Sequence, residues 1–175
     1  MTSFFELLKT RRSIRKYLPK AVEQDKINLI TRAALMSPAS KRSNPWEFII
    51  IEDKQMLLKL SESRSNGSQM LVDSPLGIVV IADSTKSDVW LEDASIAAII
   101  MQLQAQDLEL GSCWIQIYGR DKNELTSSEN YIRDLFHLPE QYRILCILSI
   151  GYPNEERKPF LTDKLDTTKI HSELF

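Results

Sequence analysis

Apolar positions along this chain alternate between helical spacing and short unbroken runs, and the order of those patterns predicts a layered α+β architecture. Ser3-Phe4-Phe5-Glu6 is a capping box that opens a short helix running into Lys9. From about Gln24, Ile27, Ile30, Ala33 and Ala34 keep a helical period until Ser37-Pro38 stops it. Trp46–Ile51 reads as a strand, and Lys54–Glu62 as a helix with Met56, Leu57 and Leu60 on its apolar side. Leu76–Ala82 is a continuous apolar run between turn signals, the pattern of a strand buried on both faces. Asp88–Leu108 is the longest helical pattern. Its small-residue face of Ala94, Ala97, Ala98, Met101 and Ala105 suits either close packing in the core or a dimer seam. A strand over Gly111–Ile117, a helix through Ile132 and Leu135, and a strand over Arg143–Ile150 complete the order. The tail, Asn154–Phe175, is polar with no strong period.

A chain of 175 residues with no repeat or linker is expected to form a single domain over 1–175. Its net charge of −2 offers no overall field for nucleic acid or an anionic membrane, so any anion site must be local. Cys113 and Cys146 form no CxxC pair, and each sits in an apolar run, which suits a reducing cytoplasm. No signal peptide or membrane span is legible, so a soluble cytoplasmic protein is expected.

The same reading removes most enzyme classes. His137 and His171 lack metal-ligand spacing, so no metal site is expected, and a helix-end surface role suits His137. There is no GxSxG elbow, P-loop or GxGxxG fingerprint, and five glycines cannot build the phosphate loops of those folds. Two positive signals remain. Arg11-Arg12-Ser13-Ile14-Arg15-Lys16 is the densest cationic stretch, suited to phosphate or else a solvated charged turn. Ser37-Pro38-Ala39-Ser40-Lys41-Arg42-Ser43-Asn44-Pro45-Trp46 is a loop rich in hydroxyl, amide and backbone donors.

Taken in order, these two segments resemble the FMN-dependent nitroreductase family in its short, single-domain form. Trp90-x-x-Asp93-x-x-x-Ala97, Leu110-Gly111-Ser112-Cys113-Trp114-Ile115 and Ile150-Gly151-Tyr152-Pro153 extend the likeness from about Phe4 to His171. The resemblance implies a homodimeric α/β/α sandwich with a central mixed sheet and FMN at each subunit interface. It implies that Arg11 and Arg15 grip the phosphate, while Arg12 and Ser13 meet the ring edge or ribityl chain. Arg12 would then stabilise the reduced, anionic flavin. The same likeness brings Pro38, Ala39, Ser40 and Asn44 from the partner subunit. It puts Gln69 beside the flavin, Gln116, Tyr118 and Gly119 at its N5 edge, and Lys164 at the phosphate. It also implies that the tail 154–175 packs on the partner.

The activity so implied is ping-pong hydride transfer from NADH or NADPH, through FMN, to nitroaromatics, quinones or similar small acceptors. No side chain then needs to be a nucleophile or base. Larger members have an acidic residue where Tyr118 aligns and helices inserted over the flavin. Their absence here implies an open site with broad, weak acceptor binding. Trp114 and Tyr118 fit either that site or the core. Two rival readings are specialised FMN chemistry such as reductive dehalogenation, and a flavin-binding protein without turnover.

Overall fold

The computed structural model describes residues 3–175; the first two positions of the expected domain lie outside the described residues. Nine elements follow the predicted order: α1 (Phe4–Thr10), α2 (Gln24–Leu35), β1 (Trp46–Ile51), α3 (Lys54–Ser61), β2 (Leu76–Asp83), α4 (Trp90–Asp107), β3 (Gly111–Gln116), α5 (Ser128–Phe136) and β4 (Tyr142–Gly151). Local chemistry sets their limits. The Ser3 hydroxyl accepts from the Glu6 amide to start α1, Asp53 accepts from Met56 N–H to start α3, and Ser127 caps α5. Exposed His137 ends α5 in the left-handed region at φ 53°, the helix-end role expected of it.

The four strands form one sheet in the order β1-β2-β4-β3. Every pairing is antiparallel, which replaces the mixed sheet that was expected. Among the described residues the parallel component is one isolated bridge between Ser13 and Ser112. Side-chain alternation then divides the sheet into two faces. Ile49, Val79, Ile147 and Ile115 are register partners across all four strands, and they belong to the core shared with α3 and α5. Ile50, Ile78, Leu148 and Trp114 form the neighbouring row, and Ile78 and Leu148 belong to the core under α2 and α4. Buried on both faces, β2 has no exposed residue, as its unbroken apolar run predicts.

The alanine face of α4 resolves to one of its two readings. Ala94, Ala97, Ala98, Met101 and Ala105 are fully buried against α2 and the sheet within this chain. Small residues there let the two helices approach closely. The face is core, and it lends no support to a dimer seam.

The first part of the tail lies on its own chain: Asn154 N–H donates to Lys16 C=O at 2.9 Å, and Phe160 N–H to Lys9 C=O at 2.9 Å. Residues 161–175 are exposed throughout. No helix of the described residues is long and apolar enough to cross a membrane.

Candidate functional site

The arginine segment is extended rather than a turn, and its neighbours dictate how its side chains divide. Ile14 N–H donates to Ser112 C=O at 3.0 Å, which lays residues 11–18 along the start of β3. Gly111 permits this approach, because a Cβ there would meet Ile14 side-chain atoms at 2.7–2.8 Å. Buried Tyr17 pins the other end. Its hydroxyl bonds the Ile14 carbonyl at 2.6 Å and Ser149 Oγ at 2.7 Å, and burial pushes its pKa far above the ordinary value. Glu155 Oε1 accepts from the backbone N–H of Arg15 at 2.6 Å and of Lys16 at 3.2 Å. Its carboxyl is held below the usual range: burial pushes up, but these backbone donors and Arg157 outweigh it.

An extended segment alternates its side chains. Arg11, Ser13 and Arg15 all act on Cys113: burial pushes this thiol up, while Arg15, Ser13 and Arg11 pull the other way. Among the described residues neither Arg11 nor Arg15 has a carboxylate partner within ion-pair distance. Three donors are therefore gathered beside β3 together with one acid, Glu155. It also acts on Cys113, but backbone N–H groups and Arg157 engage it. The balance is cationic, which fits a phosphate.

Arg12, expected beside the flavin ring, meets the tail within this chain. Its guanidinium donates to the Lys158 carbonyl and lies 4.6 Å from the centre of the Phe160 ring. It also lines a cavity of about 260 Å³ with Glu109 and the Glu155–Arg157 pair, a charge-balanced wall. Arg12 holds the tail. Lys164 ends a short 3-10 turn (Thr162–Lys164) and is exposed. A larger cavity of about 790 Å³, lined by Lys16, Lys20, Lys54, Glu52 and Asp73 among others, contains no predicted site residue.

At the far end of β3 the chain turns through Tyr118 and Gly119. Gly119 has φ 67° with open space around it, so the backbone shape alone favours glycine there. The Gln116 side chain accepts from Trp114 Nε1 at 2.8 Å and donates to Tyr118 C=O at 2.9 Å, which stiffens this strand end. Tyr118 packs edge-on against Trp90 at 5.1 Å, with the Arg143 guanidinium 5.0 Å from its ring. Arg143 is in turn fixed by two bonds to buried Glu129, at 2.7 and 2.9 Å. Trp114 belongs partly to the core, and Tyr118 borders the strand end. The loop carrying Gln69 lies beside this end through a Ser65 N–H to Asp121 C=O bond and a Lys122–Glu62 pair. Gln69 itself accepts from Gly67 N–H at 2.8 Å. Burial and nearby Arg120 lower the pKa of Arg64 in the same loop, so this corner is electropositive.

Pro38, Ala39, Ser40 and Asn44 stand apart. Their loop leads into β1, one edge of the sheet, while the arginines and Gln116–Gly119 follow β3, the other edge. Three strand spacings separate the edges, about 14 Å. Along α4, the Asp93 contact of Ser40 and the Gln106 wall of the Arg12 cavity are 13 residues apart, about 20 Å. One chain therefore does not join the loop to the arginine segment.

Within the loop, Lys41, Arg42 and Asn44 have φ of 52°, 57° and 43°. Such residues cost about 1–3 kcal/mol each and persist only where their surroundings hold them. The holder was missed as a site residue in the sequence. Asp93, 3% exposed, accepts from Ser40 N–H at 2.8 Å, Ser43 Oγ at 3.4 Å and Ser87 Oγ at 2.8 Å. Its signals were an acid in the first turn of the longest helix and its place in the Trp90-x-x-Asp93-x-x-x-Ala97 motif.

Comparison with known proteins places this geometry. The model of the Nitroreductase family matches residues 8–66 and 58–152. An FMN-dependent nitroreductase from Clostridium difficile superimposes with a TM-score of 0.97 at 47% identity, covering 98% of this chain and 100% of that one. Proteins provisionally named NADH dehydrogenase/NAD(P)H nitroreductase are 33% identical in Archaeoglobus fulgidus, over 99% of each chain, and 36% identical in Methanothermobacter thermautotrophicus, over 96% of this chain and 85% of that one.

Proposed function

Since this chain belongs to the nitroreductase family, we propose that it is an FMN-dependent oxidoreductase driven by NADH or NADPH. The observation that carries the reading is the trio Arg11, Ser13 and Arg15, gathered along the start of β3, with neither guanidinium in an ion pair among the described residues. Bound there, FMN supplies two-electron chemistry, accepting hydride from a nicotinamide nucleotide and passing it to a nitroaromatic, quinone or similar small acceptor. The chain's own work is to bind and orient. Arg11 and Arg15 would hold the phosphate by charge-assisted bonds and Ser13 would add a hydroxyl. The strand end at Gln116, Tyr118 and Gly119, with Gln69 alongside, would border the ring. Arg12 acts indirectly, by fixing the tail against α1. Lys164, exposed on the tail, would add a further cation to the phosphate site.

The separation of the two sheet edges supports a homodimer, in which Pro38, Ala39, Ser40 and Asn44 of one copy complete the site of the other. Phe4 and Phe5 on α1, and Leu35 and Met36 at the end of α2, are well exposed and available to such an interface. Two free, buried thiols suit a cytoplasmic setting.

Purified protein should release FMN on denaturation, and anaerobic mixing with NADH or NADPH should bleach the flavin absorbance. Bleaching by dithionite but by neither nucleotide would rule out the nicotinamide-driven activity and leave a flavin-binding protein.

A further inference from the structure

A loop of three non-glycine residues in the left-handed region does not hold its own shape. Its internal bonds are two, Arg42 N–H to Ala39 C=O at 3.2 Å and Ser43 N–H to Ser40 C=O at 2.9 Å. The Lys41–Asp88 pair, 3.5 Å long between side chains more than three-quarters exposed, adds little. The firm tie is to Asp93. Its Oδ1 takes the Ser40 N–H and its Oδ2 takes the Ser43 and Ser87 hydroxyls, so both oxygens are used.

None of these donors belongs to α4, so Asp93 is not capping its own helix. Among the described residues no cation pairs with it, although it is buried. An unpaired buried carboxylate is costly unless fixed donors saturate it, and the first turn of an 18-residue helix also favours its charge. Apolar packing would serve the core of α4 better. An acid here makes sense as the anchor of the loop.

We propose that Asp93 is a positioning residue of the flavin site, its carboxylate holding residues 39–44 in the shape that meets the cofactor. This rests on the reading that the loop packs against FMN bound by another copy. Ser40 N–H and the Ser43 hydroxyl are tied back to Asp93, while Asn44 at the end of the loop is exposed. Ser87 steadies the carboxylate from behind, because its hydroxyl also accepts from Val89 N–H at 3.3 Å.

FMN titration and amide hydrogen exchange on three variants test this. Asp93→Ala should weaken FMN binding about ten- to hundredfold, the scale of losing charge-assisted bonds. It should also remove slow exchange at Ser40 while α2, α4 and the sheet stay protected. Asp93→Asn keeps an acceptor for Ser40 N–H, and its NH₂ can donate to a serine hydroxyl, so its affinity should stay within about threefold of wild type. Ser87→Ala should fall between them. Unchanged affinity in Asp93→Ala overturns the proposal. So does an Asn variant that keeps slow exchange at Ser40 yet loses as much FMN affinity as the Ala one, because charge rather than loop shape would then matter. Should Asp93→Ala fail to fold, the Ser43→Ala/Ser87→Ala double variant replaces it, and unchanged affinity there overturns the proposal equally. Wild-type protein that takes up no FMN would sink the flavin reading itself. Exchange at Ser40 in flavin-free protein still decides whether Asp93 holds the loop.

Discussion

The two polar segments that face one another in the proposed site are held in opposite ways. Residues 11–18 are fixed along their length by a backbone bond to β3, a steric fit of Ile14 over Gly111, the Tyr17 hydroxyl and the Glu155 carboxylate. Residues 39–44 hang on one buried acid. Many weak constraints tolerate the loss of one, whereas a single anchor does not. The arginine segment should therefore yield only to changes that displace it bodily, and the loop to one substitution.

The largest effect is expected from Gly111→Val. A branched side chain would occupy the space of Ile14 and push the whole segment off β3, with destabilisation of about 1–3 kcal/mol from overpacking. FMN uptake should be lost with it. Thermal melts with flavin titration check this, and retention of both would show that the segment docks by other means.

Next come the arginines, where geometry now ranks them. Arg11→Ala and Arg15→Ala should each weaken FMN binding by about 1.5–3 kcal/mol, as for other hydrogen bonds to charged groups. Arg12→Ala should cost less than about 1 kcal/mol in FMN affinity, the scale of an exposed ionic or cation–π contact. It should instead speed amide exchange at Phe160. Equal losses for all three in apoprotein titrations would mean that Arg12 turns toward the flavin after all.

The smallest effect lies just beyond the docked segment. Tyr152, whose carbonyl receives Leu18 N–H at 2.9 Å, donates its hydroxyl to Glu23 at 2.5 Å. That bond, with a backbone bond and Lys20, lowers the Glu23 pKa from 4.5 to about 2. Because the folded value is depressed, the stabilisation is complete above the ordinary carboxylate value and is lost as pH falls toward about 2. Tyr152→Phe should raise the Glu23 value toward normal, read by NMR titration. No movement would assign the depression to Lys20 and the backbone alone.

Element order was legible because core-facing runs here are long and turn signals sharp, as at Leu76–Ala82 and Ser37-Pro38. The arginine cluster and the small-polar loop were legible as chemistry. What escaped was direction. Arg12 and Arg15 look equivalent in a run of cations, and only the extended backbone, with its two-residue alternation, sends Arg12 to the tail and Arg15 toward Cys113. Asp93 escaped for a different reason: its loop partners are 50 and 53 positions away, at no spacing that a local pattern records. The alanine stripe of α4 was equally compatible with core or dimer, since close helix packing asks for small residues in both.

The docking of residues 11–18 also sets a timetable. Their partners are Ser112, Ser149 and Glu155, so the segment cannot settle fully until residues far downstream have been made. From Arg15 to Glu155 the separation is 140 residues. At the ~5–20 residues per second of ribosomal synthesis, that is a wait of roughly 7–28 s. Throughout that interval the most cationic stretch of the nascent protein is not fully docked, and the proposed phosphate cradle does not yet exist in its final shape.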